Sequence, residues 1–262
     1  MEAADVVFSG GGTSVACEVG AYAALIQRFD IPAIGGTSAG SIVAACHALG
    51  LSPERMLEIL CTAFSGDVLD QSIWAWKRFG WYRGDKIHGL LKEHLPGTMG
   101  ALRCDTRIVV CDLWTGVPLI ITRESHPKAL VADVVRASMS IPVFFAATRL
   151  EEANARLFVD GGVAKNFALD AFDDRPERTI GIRMADDAGA VHPVREGEFG
   201  AFAHAMARLF MFSSNNAHVS SKHAANVVTI QSTGDGLDFN IGPVEIRRRY
   251  GEGFRAVCSS TL

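Results

Sequence analysis

The stretch Ile34-Gly35-Gly36-Thr37-Ser38-Ala39-Gly40-Ser41 decides the fold that we expect for this chain. Within it, Gly36-x-Ser38-x-Gly40 is the pattern of a serine on a sharp turn between a strand and a helix. Glycine has no Cβ atom, so strand and helix can approach closely on both sides of the serine. The first N–H groups of the helix point back toward the serine and can stabilise an oxyanion. We therefore predict that Ser38 is an exposed nucleophile; an ordinary glycine-rich turn is the alternative.

The residues around this turn fit a strand before the serine and a helix after it. Residues 29–34 form a short apolar run, which predicts a buried strand. Residues 41–49 read as a helix of mostly small residues, and Gly50 follows at its expected carboxyl end. Along the whole chain, predicted strands alternate with predicted helices. This alternation favours an α/β fold with a mainly parallel sheet and helices on both faces.

Composition places the chain among globular proteins. It has 262 residues, of which 48% are hydrophobic and 21% charged, and no linker or repeat divides it. We therefore predict one domain that spans residues 1–262. The net charge of −4 gives no sign of nucleic-acid binding.

The cysteines and the amino terminus bear on the cellular compartment. The six cysteines are scattered without a Cys-x-x-Cys pair, which predicts free thiols in a reducing compartment and no zinc site. The first five residues are acidic and lead at once into a strand, unlike a signal peptide. No run of about 18 apolar residues predicts a membrane-spanning helix. We expect a cytoplasmic protein.

A second glycine-rich loop, Gly10-Gly11-Gly12, lies between a predicted strand at 5–9 and a predicted helix at 15–28. The backbone N–H groups of such a loop form an anion site at a helix N-terminus. The anion is either a nucleotide phosphate or an oxyanion at Ser38. The nucleotide interpretation lacks its signatures, because neither Gly-Lys-Ser/Thr nor Gly-x-Gly-x-x-Gly is present. We favour the oxyanion because the strand that leads to Ser38 comes next; a turn without a ligand stays open.

Asp160 is the candidate partner of the serine. It ends a predicted strand at 156–160, and Gly161-Gly162 then turns the chain away. Polar residues at the carboxyl ends of strands are where α/β folds place their sites. The alternative is turn chemistry alone, since Asp-Gly is a common turn signal. The presence of Ser38 and of the triple glycine favours a catalytic role.

Together these blocks resemble the patatin-like phospholipase family. The resemblance rests on residues 8–12, 36–40 and 159–166, with a further block at 137–145, and extends over about residues 5–172. It implies a three-layer α/β/α fold, in which a mainly parallel central sheet carries helices on both faces. In one departure from the family pattern, Ser14 and Val15 stand where a basic residue and a glycine usually follow the triple glycine.

The resemblance also assigns roles to individual residues. It implies a Ser–Asp dyad of Ser38 and Asp160 that works without a metal or other cofactor. Oxyanion-hole residues are implied at Gly10, Gly11, Gly12 and Ala39. The motif glycines are Gly36, Gly40, Gly161 and Gly162.

A segment at about 66–95 is predicted to be a cap or insertion over the site. It contains Trp74, Trp76, Trp81 and Tyr82 together with Lys77, Arg78 and Arg83. Amphipathic rings next to cations are typical of a surface that meets lipid. An aromatic cluster that packs the insertion internally is an equally good interpretation.

From these features we expect a serine acyl hydrolase that releases fatty acid from phospholipid or a related lipid ester. Its partners would be the lipid substrate and the membrane surface, which it contacts peripherally. Two alternatives remain: a lipid-binding module without catalysis, or a Ser-His-Asp esterase or thioesterase. The candidate histidines for that triad are His192, His204, His218 and His223.

Overall fold

The computed structural model describes residues 1–64, 68–72, 75–150, 156–185, 194–195, 197–213 and 226–262. The β-strands are β1 Glu2–Phe8, β2 Phe29–Thr37, β3 Gly80–Tyr82, β4 Asp105–Asp112, β5 Pro118–Ile121, β6 Val143–Phe145, β7 Thr148–Arg149, β8 Leu157–Asp160, β9 Thr179–Ala185 and β10 Val227–Gln231. The α-helices are α1 Val15–Leu25, α2 Ala39–Leu49, α3 Pro53–Ala63, α4 Asp85–His94, α5 Val131–Ser138, α6 Gly162–Lys165, α7 Phe199–Ser213 and α8 Pro243–Cys258. Short 3-10 helices include Gly12–Ser14, Ala75–Arg78 and Leu169–Phe172.

The central sheet has the strand order β10-β9-β1-β2-β4-β8-β7, and β5 pairs with β4 beside this path. Strands β10, β9, β1, β2 and β4 run parallel, whereas β5 and β8 run antiparallel to β4. The predicted α/β fold with a mainly parallel sheet is confirmed. The inner strands β1 and β4 are buried along most of their length, as their continuous apolar sequence requires when both faces are covered.

Different layers cover the two faces of the sheet. Val6 and Phe8 belong to the main core, together with side chains of α1, α2 and α8. Val7, which points the other way, packs with Leu169 and Phe172 of the 3-10 helix Leu169–Phe172. The second layer is therefore built in part from a short 3-10 turn rather than from a long helix.

Strand register brings the predicted site residues to one place. Phe8 at the end of β1 pairs with Gly36 of β2, so the triple glycine and Ser38 leave the sheet side by side. Thr37 pairs with Val109 of β4, and the next residue of β4, Val110, pairs with Asp160. Asp160 thus lies level with Ser38 although β8 runs against its neighbour. The antiparallel strand is only four residues long, so its end stays near the carboxyl edge of the parallel strands.

The segment predicted as a cap folds as a 3-10 helix, β3 and α4. Strand β3 pairs with β6 in a separate two-stranded sheet, and the Tyr82 ring lies 4.9 Å from the Phe144 ring. Tyr82 therefore packs internally, as the second interpretation of these aromatics expects. Trp74 lies outside the described residues. The single-domain assignment and the role of this segment as a cap stay predictions.

No helix in the described ranges combines the length and the apolar character needed to cross a lipid bilayer.

Candidate active site

Ser38 occupies a strained turn between β2 and α2. Its backbone has φ 50° and ψ −119°, a conformation that non-glycine residues rarely adopt and that is concentrated at functional sites. The flanking glycines allow the turn. A Cβ atom on Gly36 would lie 2.2 Å from the carbonyl oxygen of Gly40, and one on Gly40 would lie 2.6 Å from the Cβ of Phe8. Because no side chain fits at either position, the close approach expected from the sequence is present.

Asp160 is the hydrogen-bond partner of this serine. Ser38 Oγ donates to Asp160 Oδ2 over 2.6 Å, and the Gly162 N–H donates to Asp160 Oδ1 over 2.7 Å. Both Ser38 and Asp160 are buried, at 3% and 2% exposure, so the sequence-based prediction of an exposed serine is wrong. Burial raises the pKa of Asp160 to about 7, although the hydrogen bonds from Ser38 and from the Gly162 N–H act in the opposite direction. A carboxylate with such a pKa is a far stronger base than an exposed aspartate.

The triple glycine lies beside the serine. A Cβ atom on Gly10 would lie 3.1 Å from the Cβ of Ser38. Gly12 has φ +57°, in the left-handed region that glycine adopts without strain. Within the described part of the chain, the N–H groups of Gly11, Gly12 and Ala39 donate no hydrogen bond. Three donors near Ser38 are thus left for an incoming oxygen.

The N–H of Gly10, in contrast, is already engaged. It donates to the backbone oxygen of Asn166 over 3.0 Å and to Asn166 Oδ1 over 3.1 Å, while Asn166 Nδ2 donates to the Gly10 carbonyl over 3.3 Å. The sequence-based prediction placed Gly10 with the oxyanion-hole residues. Because its only N–H points at Asn166, we leave it out of the donor set and regard it as the anchor of the loop.

Two positioning residues have no role in the sequence-based prediction. Asn166 holds Gly10, and Ser138 Oγ accepts the Ser38 N–H over 2.9 Å while donating to the Val109 carbonyl. Both lie in blocks that carried the family resemblance. In each block, the signal in the sequence was a small polar side chain among mostly apolar residues. Such a pattern does not identify the residue that the side chain binds.

The departure from the family pattern after the triple glycine has a clear structural consequence. Ser14 is buried and its Oγ donates to Ser232 Oγ over 3.0 Å, and Val15 is buried as well. The loop itself therefore carries no cation. A side chain from elsewhere in the chain must provide any positive charge near it.

The histidines proposed for a Ser-His-Asp triad divide into two groups. His204 Nε2 lies 2.9 Å from Asp235 Oδ2, whereas both oxygens of Asp160 accept hydrogen bonds from Ser38 and Gly162. The other three candidates, His192, His218 and His223, lie outside the described residues. Among the described residues, no group of three or more His, Cys, Asp or Glu side chains could hold a metal ion.

An apolar cavity lies along the helix that begins at the serine. Ile42, Val43 and Cys46 of α2 line it, together with side chains of α3 and α4. Met139, next to the Ser138 that binds the Ser38 N–H, completes the wall nearest the site. The cavity has a volume of about 90 Å³. Its lining is apolar except for His94.

A basic groove lies beside the segment predicted as a cap. Six cations line it against two carboxylates, Asp85 and Asp133: Lys77, Arg78, Arg83, Lys92, Arg136 and Arg149. Arg78 and Arg83 pair with Asp85, at 3.7 Å and 3.1 Å. Lys92 and Arg149 have no ion-pair partner among the residues that the structure describes. The groove is therefore strongly positive in a chain whose net charge is −4.

The chain belongs to the patatin-like phospholipase family, whose model matches residues 6–173. This range contains Ser38, Asp160 and both glycine-rich loops. At the level of the family, the function is lipid acyl hydrolysis.

Individual proteins are also similar to this chain. YqhO of Bacillus subtilis (strain 168), described as uncharacterized, is 31% identical over 206 residues, which are 69% of this chain and 71% of that protein. The uncharacterized NTE family protein MT2641 of Mycobacterium tuberculosis (strain CDC 1551 / Oshkosh) is 32% identical over 171 residues, which are 62% of this chain and 26% of that protein. The crystal structure of VipD from Legionella pneumophila has a TM-score of 0.60 at 15% identity. The structural match covers 98% of this chain and 66% of VipD, and it shows that the two proteins share a fold.

Proposed function

We propose that this chain cleaves a lipid ester by acyl transfer, with Ser38 as nucleophile and Asp160 as general base. The observation that carries the proposal is the 2.6 Å hydrogen bond from Ser38 Oγ to Asp160 Oδ2 in a buried site. Asp160 takes the serine proton directly, because a pKa of about 7 suits a general base that works at neutral pH. This contact also speaks against a lipid-binding module that has lost catalysis.

The reaction follows from the positions of these groups. As Asp160 Oδ2 accepts its proton, Ser38 Oγ attacks the ester carbonyl carbon, and the carbonyl oxygen becomes an oxyanion. The free N–H groups of Gly11, Gly12 and Ala39 hold that oxyanion. The intermediate collapses, and the leaving alkoxide takes the proton from Asp160. Water then loses a proton to Asp160 and attacks the acyl-enzyme; the fatty acid leaves as the proton returns to Ser38.

The apolar cavity supports a long-chain acyl group as the substrate part that this site binds. Ile42, on the cavity wall, lies one helical turn after Ser38, which makes this neighbouring cavity the candidate site for the chain attached to the reacting carbonyl. An alkyl chain gains about 0.8 kcal/mol for each methylene group that leaves water. This favours lipid esters over small, polar ones.

The decisive experiment compares Ser38→Ala with the exposed control Ser125→Ala on a panel of phospholipids, lysophospholipids and glycerides, with released fatty acid measured by mass spectrometry. Removal of a nucleophile lowers turnover by about 10⁴-fold or more, whereas the control should retain wild-type activity. Circular dichroism establishes that both variants are folded. Wild-type turnover by Ser38→Ala would reject the proposed nucleophile.

We also propose that the basic groove contacts an anionic membrane surface. Lys92 and Arg149, which have no ion-pair partner among the described residues, provide positive charge for lipid phosphates, and the Phe79 ring that also lines the groove is 63% exposed. Each basic side chain near an anionic surface contributes about 1 kcal/mol. Binding should therefore weaken by about 30-fold when both cations are neutralised, since this corresponds to about 2 kcal/mol.

Vesicle co-sedimentation tests the groove with the variant Lys92→Gln/Arg149→Gln. The exposed Lys128, which does not line the groove, provides the control Lys128→Gln. Hydrolysis of a short, water-soluble ester should be unchanged in both variants. Equal binding of the double variant and the control to vesicles rich in anionic lipid would reject the groove as the contact surface.

A further inference from the structure

Thr13 follows the triple glycine directly and is fixed by the carboxyl-terminal part of the chain. It is fully buried. Its N–H donates to the Gly236 carbonyl over 2.7 Å, and its Oγ1 donates to the Asp235 carbonyl over 3.3 Å. A segment more than 200 residues away in sequence therefore holds the residue next to the proposed oxyanion donors.

Arg249 of α8 provides the remaining bond of this hydroxyl group. Its Nη1 donates to Thr13 Oγ1 over 2.9 Å, and its Nε donates to Glu245 Oε1 over 2.9 Å. Thr13 Oγ1 thus donates one hydrogen bond and accepts another, which fixes its orientation. Arg249 is only 2% exposed and is the bulkiest fully buried side chain among the described residues. A buried arginine is costly unless it is paired and hydrogen-bonded, and Glu245 and Thr13 provide these contacts here.

Asp235, whose carbonyl accepts the hydrogen bond from Thr13 Oγ1, is also held in place. Asp235 Oδ1 accepts from the Leu237 N–H at 2.9 Å and from Arg208 Nη1 at 3.2 Å. Its Oδ2 lies 2.9 Å from His204 Nε2. The Asp235 carbonyl that receives Thr13 therefore belongs to a turn with little freedom to move.

We propose that Arg249 is a positioning residue for the oxyanion loop. Through Thr13 it fixes the direction of the Gly11 and Gly12 N–H groups, and it places a buried positive charge next to a loop whose residues 13–15 carry none. The inference rests on the proposed acyl transfer and adds to it a residue outside the segment that matches the family, residues 6–173.

Such a role predicts an effect on kcat rather than on KM. Oxyanion donors act when they lie 2.7–3.1 Å from the charged oxygen of the transition state, and they contribute less to binding of the uncharged ester. A displacement of about 1 Å costs about 100-fold in rate. Loss of the Arg249–Thr13 bond should therefore lower kcat by about 10- to 100-fold, with KM changed by less than about twofold.

The matched pair Thr13→Val and Thr13→Ser tests this without removing the buried charge. Valine keeps the shape and loses the hydroxyl, whereas serine keeps the hydroxyl that Arg249 and Asp235 bind. We expect kcat to fall in Thr13→Val and to return to within about threefold of wild type in Thr13→Ser. The rate at which a fluorophosphonate labels Ser38 should fall in the same order, because that reaction also develops charge on an oxygen in the hole.

Arg249→Gln and Arg249→Lys extend the test to the guanidinium group. Glutamine should lower kcat as Thr13→Val does, and lysine, which keeps the charge but not the fork of donors, should lie between glutamine and wild type. Arg107→Lys is the control for a lost arginine bond, because Arg107 pairs with Asp105 over 2.6 Å at the opposite end of the parallel strands. It should lower the melting temperature without changing kcat.

Two results would overturn the inference. One is wild-type kcat in Thr13→Val and Arg249→Gln when Ser38→Ala is inactive; the proposed function would then stand without this residue. The other is an equal loss in Thr13→Val and Thr13→Ser that follows the loss of melting temperature, which indicates a structural role alone. Activity that survives in Ser38→Ala would instead reject the proposed function itself.

Discussion

Asp160→Asn is the substitution that most directly tests the chemistry of this site, because it removes a buried charge and keeps the shape. The amide oxygen of the new side chain would still accept the Gly162 N–H, so the fold should persist. The variant cannot take the serine proton, and loss of a general base lowers rates by about 10²- to 10⁴-fold. We therefore expect an inactive protein that is more stable than the wild type at alkaline pH.

The size of this stabilisation follows from the pKa of Asp160. Burial raises it from 3.8 to about 7. The folded state therefore retains a proton that the unfolded chain has already released between about pH 4 and pH 7, and the free energy of unfolding falls as pH rises through this window. A pKa shift of about three units, at 1.36 kcal/mol per unit, lowers the free energy of unfolding by about 4 kcal/mol above pH 7. About 3 kcal/mol of this loss develops between pH 5 and pH 8.

Urea unfolding of wild type and Asp160→Asn at pH 5 and pH 8 measures this directly. The difference in free energy of unfolding between the two proteins should shift by about 3 kcal/mol in favour of the variant. Groups that titrate alike in both proteins cancel in this comparison. Asp112→Asn is the control, since Asp112 is also buried but pairs with Arg156 over 2.8 Å; its replacement should destabilise the fold.

The wild-type rate has a matching pH dependence. The ratio kcat/KM for a soluble ester should fall about tenfold for each pH unit below 7, because only ionised Asp160 accepts the serine proton. A difference in unfolding free energy that is the same at pH 5 and pH 8 would refute the account of the buried carboxyl. Wild-type hydrolysis by Asp160→Asn would refute its role as base.

Three further predictions concern other parts of the fold. Ile42→Trp places a larger side chain on the cavity wall, which fills part of the cavity. In a series of acyl chain lengths, this variant should lose more hydrolysis of long-chain esters than of butyrate esters. Gly40→Ala should abolish activity and lower the melting temperature, because its Cβ would lie 2.6 Å from the Ser9 carbonyl oxygen; Gly89→Ala, with no atom within 4 Å, is the control. Glu18 is fully buried, and neither of its oxygens has a hydrogen-bond partner among the described residues. Because burial raises the pKa of Glu18, Glu18→Gln should stabilise the fold more at pH 8 than at pH 5, as measured by urea unfolding.

Short-range patterns in the sequence are enough to specify the local geometry of the site. Glycines at 36 and 40 permit a turn without side chains on either side of the serine, and three glycines in succession favour a loop that exposes its N–H groups. These properties hold wherever the segments lie in the fold. The alternation of strands and helices likewise predicted the parallel sheet, because the apolar pattern of each element already indicates which faces are buried.

Which of these groups meet depends on the tertiary structure. Ser38 and Asp160 are 122 positions apart, and their contact depends on the register of β2, β4 and the antiparallel β8. The same holds for Gly10, whose N–H is taken by Asn166, and for Thr13, which Arg249 reaches across 236 positions. Strand order and helix packing determine hydrogen-bond partners of this kind. A local sequence pattern shows that a buried donor or acceptor needs a partner, but it does not identify the distant side chain that becomes that partner.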